Sequence, residues 1–515
     1  MNKSGTQKIV KNASIMAAAT FLSRLLGFVR DAVIAFALGA GPLADAFFVA
    51  FRLPNLFRRL FAEGSLTLAF IPVFTQTRQE EGDRAAAVLA RSVLVWLVLI
   101  LLPLTFAVCF FARPITLLIA PGFAANPEVL QTAQTLVRIC FPYIFFLSGV
   151  ALCMGILHSC DRFWAPAFSP CLLNLAMICG ALLAVWGQFS VPYVLAWSVV
   201  LAGFGQWLMQ QPSLRGIGFS WRGAVELKSR GVRRIGRLMT PTIFGAAVYQ
   251  MTIVVGTILA SFLPEGSISY LYYADRLVQF PLGIFGVAIS AAALPSLSSL
   301  ARPDQQAEFI TTLNASLNLT LFIALPAAAG LIGLAEPAID LLFGRGAFDA
   351  QAVRCSAQAL IAYSIGLPVF FCLRGVLSAY YALKDTRTPV FIATFCLVVH
   401  IGLSLVLMSF LAHTGLALAT TLSSALNLAL LVVFLRRRVR GVFTLEKRVI
   451  LYFGLSCVVL ALTFLASPLG RWSLLCIPFL AAGYFGVAVR CKCEDALLVW
   501  ELVSSRFCRQ QGGFR

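Results

Sequence analysis

Charge is scarce in this sequence, and acidic charge is the scarcest. Only 12% of the 515 residues are charged, about half the share of an ordinary soluble domain, and 21 acidic residues stand against 40 basic ones. With 60% hydrophobic residues, this composition excludes a soluble globular protein and predicts an all-α membrane protein. The net charge of +19 is therefore attributed to basic cytoplasmic loops rather than to nucleic-acid binding.

Chemistry-bearing motifs are equally scarce. The sequence contains three histidines, and it shows no metal-ligand spacing, glycine-rich nucleotide loop or nucleophile elbow. The 14 cysteines are scattered through apolar stretches, where a free cysteine behaves as a small hydrophobe. No catalytic residue, metal site or cofactor is predicted.

Long apolar stretches dominate instead, and fourteen of them are predicted to cross the membrane, which takes about 20 residues each. The predicted spans are 13–39, 46–75, 88–112, 132–157, 165–187, 191–211, 237–262, 270–298, 310–335, 352–381, 388–411, 415–435, 449–467 and 472–490. Lysine and arginine concentrate in alternate connections, so the positive-inside rule places both termini in the cytoplasm.

The chain repeats itself at an offset of about 224 residues. Phe51-Arg52-Leu53 recurs as Asp275-Arg276-Leu277, and the pattern of 114–122 recurs at 337–346. Each repeat holds six spans, so the two share one orientation, and such parallel repeats predict a transporter with a central cavity between them. The predicted parts are a six-helix lobe (1–211), a basic cytoplasmic linker (212–236), a second six-helix lobe (237–436), two extra helices (437–490) and a cytoplasmic tail (491–515).

Several arginines lie inside these apolar stretches. An arginine at the bilayer centre costs roughly 2.5–3.5 kcal/mol on insertion scales, so intramembrane charge commonly faces a bundle interior or a wet cavity. Because few acidic residues accompany these arginines, the missing partner is predicted to be an anion. The candidate cavity residues are Arg24, Arg30, Arg52, Arg58, Arg59, Arg276 and Arg374.

Neighbouring polar residues leave structural alternatives open for some of these side chains. Arg30 adjoins Asp31, so it either pairs with that carboxylate or faces the cavity. Glu63 follows Arg59 by one helical turn and is placed to neutralise it.

Two further expectations concern the second span and its repeat. Pro54 frees a backbone carbonyl, which Asn55 or water is expected to satisfy. Arg52 and Arg276 occupy equivalent positions of the two repeats, and their planar guanidinium groups suit bidentate binding of a pyrophosphate.

Three motifs carry a resemblance to a known family. Ser23-Arg24-x-x-Gly27-Phe-x-Arg30-Asp31, the second-span pattern from Asp45 to Gly64, and Tyr273-Ala-Asp275-Arg276-Leu resemble the MurJ/MviN family of lipid II flippases, in the multidrug/oligosaccharidyl-lipid/polysaccharide exporter superfamily. The resemblance covers the whole chain. It implies a transporter of the bacterial inner membrane, not an enzyme, that moves the undecaprenyl-pyrophosphate-linked peptidoglycan precursor (lipid II) outwards by alternating access.

The resemblance also implies roles for particular residues and partners. Positions matching Arg24, Arg30, Arg58 and Arg276 line the family's cavity, Asp45 and Glu63 are family acidic positions, and Asp31, Asn55 and Asp275 complete the supporting set. Spans 13 and 14 form a groove for the lipid tail in that family. Membrane lipids are expected partners, the protein is expected to act as a monomer, and association with the cell-wall synthesis machinery is left open.

The sequence departs from the family in two places. Gln279 stands where some members have a carboxylate, and His400 and Ser404 stand where some members bind sodium. Coupling to sodium or to the membrane potential is therefore left open.

The alternative functions are an exporter of another polyprenyl-linked glycan or of a drug, an integral-membrane enzyme acting on such lipids, and a non-transporting scaffold. The enzyme needs clustered outward-facing carboxylates.

Overall fold

The computed structural model describes residues 3–58, 66–439, 447–497 and 500. All regular secondary structure within these residues is helical, which confirms the predicted all-α class. Apolar stretches form helices in a bilayer because a helix satisfies its backbone N–H and C=O groups within one segment.

The helices are numbered in chain order. Their bounds are α1 (Lys3–Leu38), α2 (Pro42–Phe57), α3 (Thr67–Phe110), α4 (Ala112–Ile119), α5 (Pro127–Cys140), α6 (Tyr143–Ser159), α7 (Trp164–Trp186), α8 (Val191–Arg215), α9 (Arg230–Ala260), α10 (Ser267–Pro281), α11 (Val287–Ser299), α12 (Gln306–Gly333), α13 (Ala335–Phe343), α14 (Ala350–Ile365), α15 (Leu367–Ala382), α16 (Arg387–Arg438), α17 (Lys447–Ala466) and α18 (Cys476–Arg490). A π-helical turn, Leu282–Gly286, joins α10 to α11.

Each predicted span is helical over most of the residues that the structure describes, with short breaks such as Phe141-Pro142 and Gly366. Of the described residues, eight helical segments are long and apolar enough to cross a membrane, or nine if the bent pair α14 and α15 is one span. Three of the eight are far longer than one crossing needs and contain a non-helical residue: Gly82 in α3, Ala412 in α16, and Gly470 between α17 and α18, where predicted spans 13 and 14 meet. Gly82 and Ala412 lie in the predicted connections between spans 2 and 3 and between spans 11 and 12. The number fourteen stays a prediction.

The chain divides into two compact units. The first comprises Met1–Ser269 and Arg345–Asp349, and the second comprises Tyr270–Gly344 and Ala350–Arg515. Helix α9 packs against α3 and α4 and belongs to the first unit. The lobe boundaries at 211 and 237 stay a prediction.

In the first unit, α7 packs against α1 and α8, and α6 packs against α3 and α8. Small residues allow the close approach of helices that is common in membranes. A Cβ atom at Gly180 of α7 would overlap the side chain of Ser198 on α8. Phe47 and Phe48 of α2 and Phe70 of α3 are completely buried or nearly so, which fixes α2 and α3 within this unit.

In the second unit, α12 lies against α15 and α17. Leu313 of α12 and Val376 of α15 are buried in one cluster, and Phe322 of α12 packs with Tyr452 of α17 and Tyr484 of α18 in another. Pro326 has no N–H to offer the carbonyl of Phe322, and the hydroxyl of Tyr484 donates to that carbonyl at 3.0 Å. The two C-terminal helices are therefore anchored on α12.

Candidate functional site

Arg30 lies in a buried polar cluster between α1 and α7. Its Nη2 and Nε atoms donate to Oδ1 of Asp31 at 2.6 and 3.0 Å, and its Nη1 donates to Oδ1 of Asn174 at 2.9 Å. The amide of Asn174 also donates to the backbone carbonyl of Ser23 at 2.9 Å. Arg30 is only 9% exposed, so of the two alternatives for this residue the ion pair with Asp31 is the one observed.

Arg24, two turns before Asp31 on the same helix, has a different environment. It is exposed, and its side chain makes no hydrogen bond or ion pair with another residue that the structure describes. Asp31 is buried and already bonded to Arg30. Of the two arginines in the α1 motif, Arg24 is thus the one available to a ligand.

Arg52 in α2 and Arg58 directly after it both donate hydrogen bonds to uncharged side chains. Nη1 of Arg52 donates to the hydroxyl of Thr257 on α9, and that hydroxyl donates in turn to the carbonyl of Ile253 at 2.8 Å. Nε of Arg58 donates to Oδ1 of Asn55 at 3.1 Å. These contacts restrict the directions in which the two guanidinium groups point.

Pro54 leaves the backbone carbonyl of Ala50, four residues earlier, without its helical N–H partner, and Asn55 does not satisfy this carbonyl. Its amide donates instead to the carbonyl of Phe51 at 2.9 Å. The reason is geometric, since a side chain at position 55 lies over the carbonyl four residues before its own. Arg59 and Glu63, the remaining candidates of this span, lie outside the described residues.

Asp45 lies in the first turn of α2 and holds the start of α10. Its Oδ2 accepts the N–H of Gly266 at 2.8 Å, and its Oδ1 accepts the N–H and the hydroxyl of Ser269 at 2.8 and 2.5 Å. A carboxylate suits this position because a helix N-terminus carries unsatisfied N–H groups and a partial positive charge. The buried Asp45 is therefore a structural anchor.

Two glycine loops make corresponding contacts on the predicted outer side of the first unit. The N–H of Gly122 donates to the hydroxyl of Ser261 at 3.0 Å, and the N–H of Ala347 donates to the carbonyl of Phe36 at 2.9 Å. A Cβ atom at Gly122 would overlap the backbone carbonyl of Ser261, and one at Gly346 would overlap that of Phe36. Gly122 and Gly346 are equivalent in the repeat, so each repeat contributes one such loop.

Arg276 and Arg374 belong to the second unit. The guanidinium carbon of Arg276 lies 4.5 Å from the ring centroid of Tyr272, one helical turn earlier, in cation–π geometry. Asp275 accepts a long hydrogen bond from Gln279, at 3.4 Å. Arg374 is half-buried in the middle of α15, and its side chain makes no hydrogen bond or ion pair with the described residues.

The candidate residues are thus divided between the units. Arg24, Arg30, Arg52 and Arg58 lie in the first, and Arg276 and Arg374 lie in the second. The central cavity stays a prediction.

The histidine and serine singled out on α16 form part of a buried polar patch. Nδ1 of His400 lies 3.3 Å from the hydroxyl of Ser423, and the hydroxyl of Ser404 is buried without a hydrogen-bond partner in the described part of the chain. No group of three or more His, Cys, Asp or Glu side chains is placed to hold a metal ion among the described residues.

Outer carboxylates serve structural contacts. Glu265 accepts a hydrogen bond from Asn126 at 3.0 Å. Asp340 forms a bidentate pair with Arg471 of the segment between α17 and α18, at 2.5 and 2.9 Å. Carboxylates engaged in this way are poorly suited to the clustered catalytic acids that the enzyme alternative requires.

Four residues that orient the candidates were missed by the sequence analysis. Asn174, Thr257, Ser269 and Tyr272 contact Arg30, Arg52, Asp45 and Arg276, respectively. Only two of them carry a sequence signal. Ser269 lies one repeat length after Asp45, and Tyr272 lies one turn before Arg276.

Comparisons with known proteins agree with these motifs. A family model described as "Lipid II flippase MurJ" matches residues 34–481. The "Probable lipid II flippase MurJ" of Bdellovibrio bacteriovorus is 35% identical over 512 residues, covering 96% of this chain and 97% of its own. The "Lipid II flippase MurJ" of Burkholderia cenocepacia is 35% identical over 493 residues, covering 91% and 94%.

Solved structures give the same result for the fold. A structure titled "Lipid II flippase MurJ, inward closed conformation" matches with a TM-score of 0.76 and 28% identity, over 96% of this chain and 99% of that one. An inward-facing multidrug resistance MATE family transporter of the MOP superfamily matches with a TM-score of 0.66 and 15% identity, over 81% and 94%. The second likeness concerns the fold alone.

Proposed function

The chain belongs to the MurJ family of lipid II flippases, and we propose on that basis that it moves lipid II from the inner to the outer leaflet of the bacterial cytoplasmic membrane. The match to the family over residues 34–481 carries this proposal. The protein is a multi-pass membrane transporter rather than an enzyme.

The polar head group of such a lipid cannot cross hydrocarbon unaided, because each unsatisfied polar group costs several kcal/mol there. A wet basic cavity replaces the lost hydration while the polyprenyl tail stays in the lipid phase. We propose that the repeats expose this cavity to each leaflet in turn, as parallel-repeat transporters do.

We assign the first contact with the pyrophosphate to Arg24. Its side chain is exposed and makes no hydrogen bond or ion pair within the described part of the chain, and a guanidinium group binds two phosphate oxygens at once. Arg374, half-buried and likewise without a side-chain partner among the described residues, is assigned the same chemistry from the second unit.

Arg52, Arg58 and Arg276 are proposed to bind in orientations that their neighbouring side chains help to set. Thr257, Asn55 and Tyr272 each restrict one of these side chains, so less conformational entropy is lost when the ligand arrives. Arg30 stays in the proposed set as a family position, and its pair with Asp31 gives it a positioning role beside Arg24. Arg59, Glu63 and Asp275 stay in the proposed set as family positions.

The direct test is complementation of a bacterium depleted of its own flippase. Arg24→Ala or Arg276→Ala should abolish growth at unchanged protein level. The control is Arg302→Ala, because Arg302 is an exposed loop arginine whose side chain has no partner among the described residues. Normal growth with either cavity variant would defeat the site assignment. A leaflet-resolved assay of lipid II in the depleted cells tests the substrate separately.

Orientation, stoichiometry and energy supply form the last part of the proposal. We place both termini in the cytoplasm, and reporter fusions at each terminus test this placement. We propose a monomer that exchanges lipid II with the cell-wall synthesis machinery. An inside-negative potential favours outward movement of negative charge by roughly 2.3 kcal/mol per charge per 100 mV. If flipping in proteoliposomes is unchanged after the potential is dissipated, transport is not coupled to the membrane potential.

A further inference from the structure

The connection between α8 and α9, residues 216–229, is a strap bound along α3. The guanidinium group of Arg91 donates to three strap carbonyls, those of Ala224, Arg222 and Ser220, at 2.9, 3.0 and 3.1 Å. One side chain thus holds three backbone groups of a segment that has no regular secondary structure over most of its length.

Two further bonds extend this attachment along α3. The indole N–H of Trp96 donates to the carbonyl of Leu227 at 2.9 Å, and the hydroxyl of Ser92 accepts the N–H of Glu226 at 2.8 Å. Beside these backbone bonds, apolar side chains of the strap stay exposed. Val225 is 44% exposed and Leu227 is 38% exposed, next to Trp96 at 40%.

The same surface carries strong positive charge. The exposed cations on the strap and the first two turns of α9 are Arg222, Lys228, Arg230, Arg233 and Arg237. Their side chains make no hydrogen bond or ion pair with the described residues. Glu226 is the single acidic residue between 216 and 240. Arg234 differs, because it donates to Gln76 at 2.7 Å.

We propose that the strap and the start of α9 bind the phosphodiester head groups of acidic phospholipids. Exposed apolar side chains beside a tryptophan are typical of the membrane–water interface, and the adjacent cations complement anionic head groups. A soluble anionic partner would pair with the cations but would leave the side chains of Val225 and Leu227 exposed to water. The combination therefore favours the lipid surface, a surface separate from the proposed lipid II site.

The test is native mass spectrometry of the full-length protein with added phosphatidylglycerol or phosphatidylcholine, in the absence of lipid II. The wild type should retain more phosphatidylglycerol. Near a membrane surface each cation contributes about fivefold in affinity, so the triple variant R222Q/K228Q/R230Q should lose at least about tenfold of the preference. The matched control is R302Q/K384Q/R387Q, which removes three exposed cations from other predicted cytoplasmic loops.

Each outcome decides the proposal. An unchanged preference in the strap variant, or an equal loss in the control, would overturn it, because the effect would then follow net charge alone. V225S/L227S should reduce retention of both lipids while leaving the preference intact. If this variant retains both lipids as the wild type does, the strap does not lie in the interface and the proposal is wrong.

Discussion

Asp45 and Ser269 lie 224 residues apart, the length of one internal repeat, and hydrogen-bond to each other through both the N–H and the hydroxyl of Ser269. The same carboxylate also accepts the N–H of Gly266. A single buried side chain of α2 thus holds the backbone where α10 begins. Removing this contact tests directly how much it stabilises the first unit.

Asp45→Ala should lower the thermal unfolding midpoint of the detergent-solubilised protein clearly, because three donors lose a charged acceptor. A hydrogen bond to a charged group is worth about 1.5–3 kcal/mol. Ser269→Ala should cost less, since it removes the hydroxyl donor and leaves both backbone bonds. Equal losses in the two variants would contradict this ranking.

Gly122→Ala should impair transport at unchanged expression. The new Cβ atom would overlap the backbone carbonyl of Ser261, which cannot move without shifting the end of α9, so the contact between the Gly122 loop and Ser261 should open. Gly454→Ala is the matched control, because nothing lies within 4 Å of a Cβ atom at that helical position. Cysteine-accessibility labelling at Ser261 measures the opening, and equal labelling with and without the substitution speaks against it.

Thr257→Val should weaken lipid II binding by about tenfold, since Arg52 loses the hydroxyl that orients it and such a bond to a charged group is worth about 1.5–3 kcal/mol. Thr257→Ser keeps the hydroxyl and should bind as the wild type does. Binding is measured on purified protein whose unfolding midpoint is checked alongside. A serine variant as weak as the valine variant would point to packing of the methyl group instead.

Asp385→Asn should remove an acid-sensitive contribution to stability. Asp385 lies before α16 and accepts hydrogen bonds from the backbone N–H of Arg387, from the N–H and hydroxyl of Thr388, and from the guanidinium group of Arg438 at 2.5 Å. Burial raises the pKa of this carboxyl, but the bonds from Thr388 and the charge of Arg438 outweigh it, and the pKa lies below the ordinary 3.8.

A lowered pKa means that this stabilisation is complete above the ordinary value and is lost as the pH falls through the lowered one. At pH 7 the asparagine variant should be less stable by about 1 kcal/mol, because a neutral amide oxygen accepts these hydrogen bonds more weakly than a charged carboxylate does. The difference in unfolding midpoint from wild type should shrink as the pH falls below 3.8. A constant difference across that range would show that Asp385 does not titrate as inferred.

Local physics explains what could be predicted about the candidate site. Arg24 and Arg52 stand out because charge inside an apolar stretch is costly wherever the stretch lies, and no knowledge of neighbours is needed. The state of Arg30 could not be predicted in the same way. Asp31 and the cavity were both available to it, and the choice depended on Asn174, which lies 144 residues away on α7.

By itself the sequence determined the all-helical membrane class, the 224-residue repeat and the positions of the arginines, because hydropathy and helical period are local properties of a chain. Only the tertiary structure decided which arginines are engaged and by what. Thr257 beside Arg52, Ser269 beside Asp45 and the strap bonded to Arg91 join residues that lie more than 120 positions apart. Helix packing brings such pairs together, and packing depends on the whole chain at once.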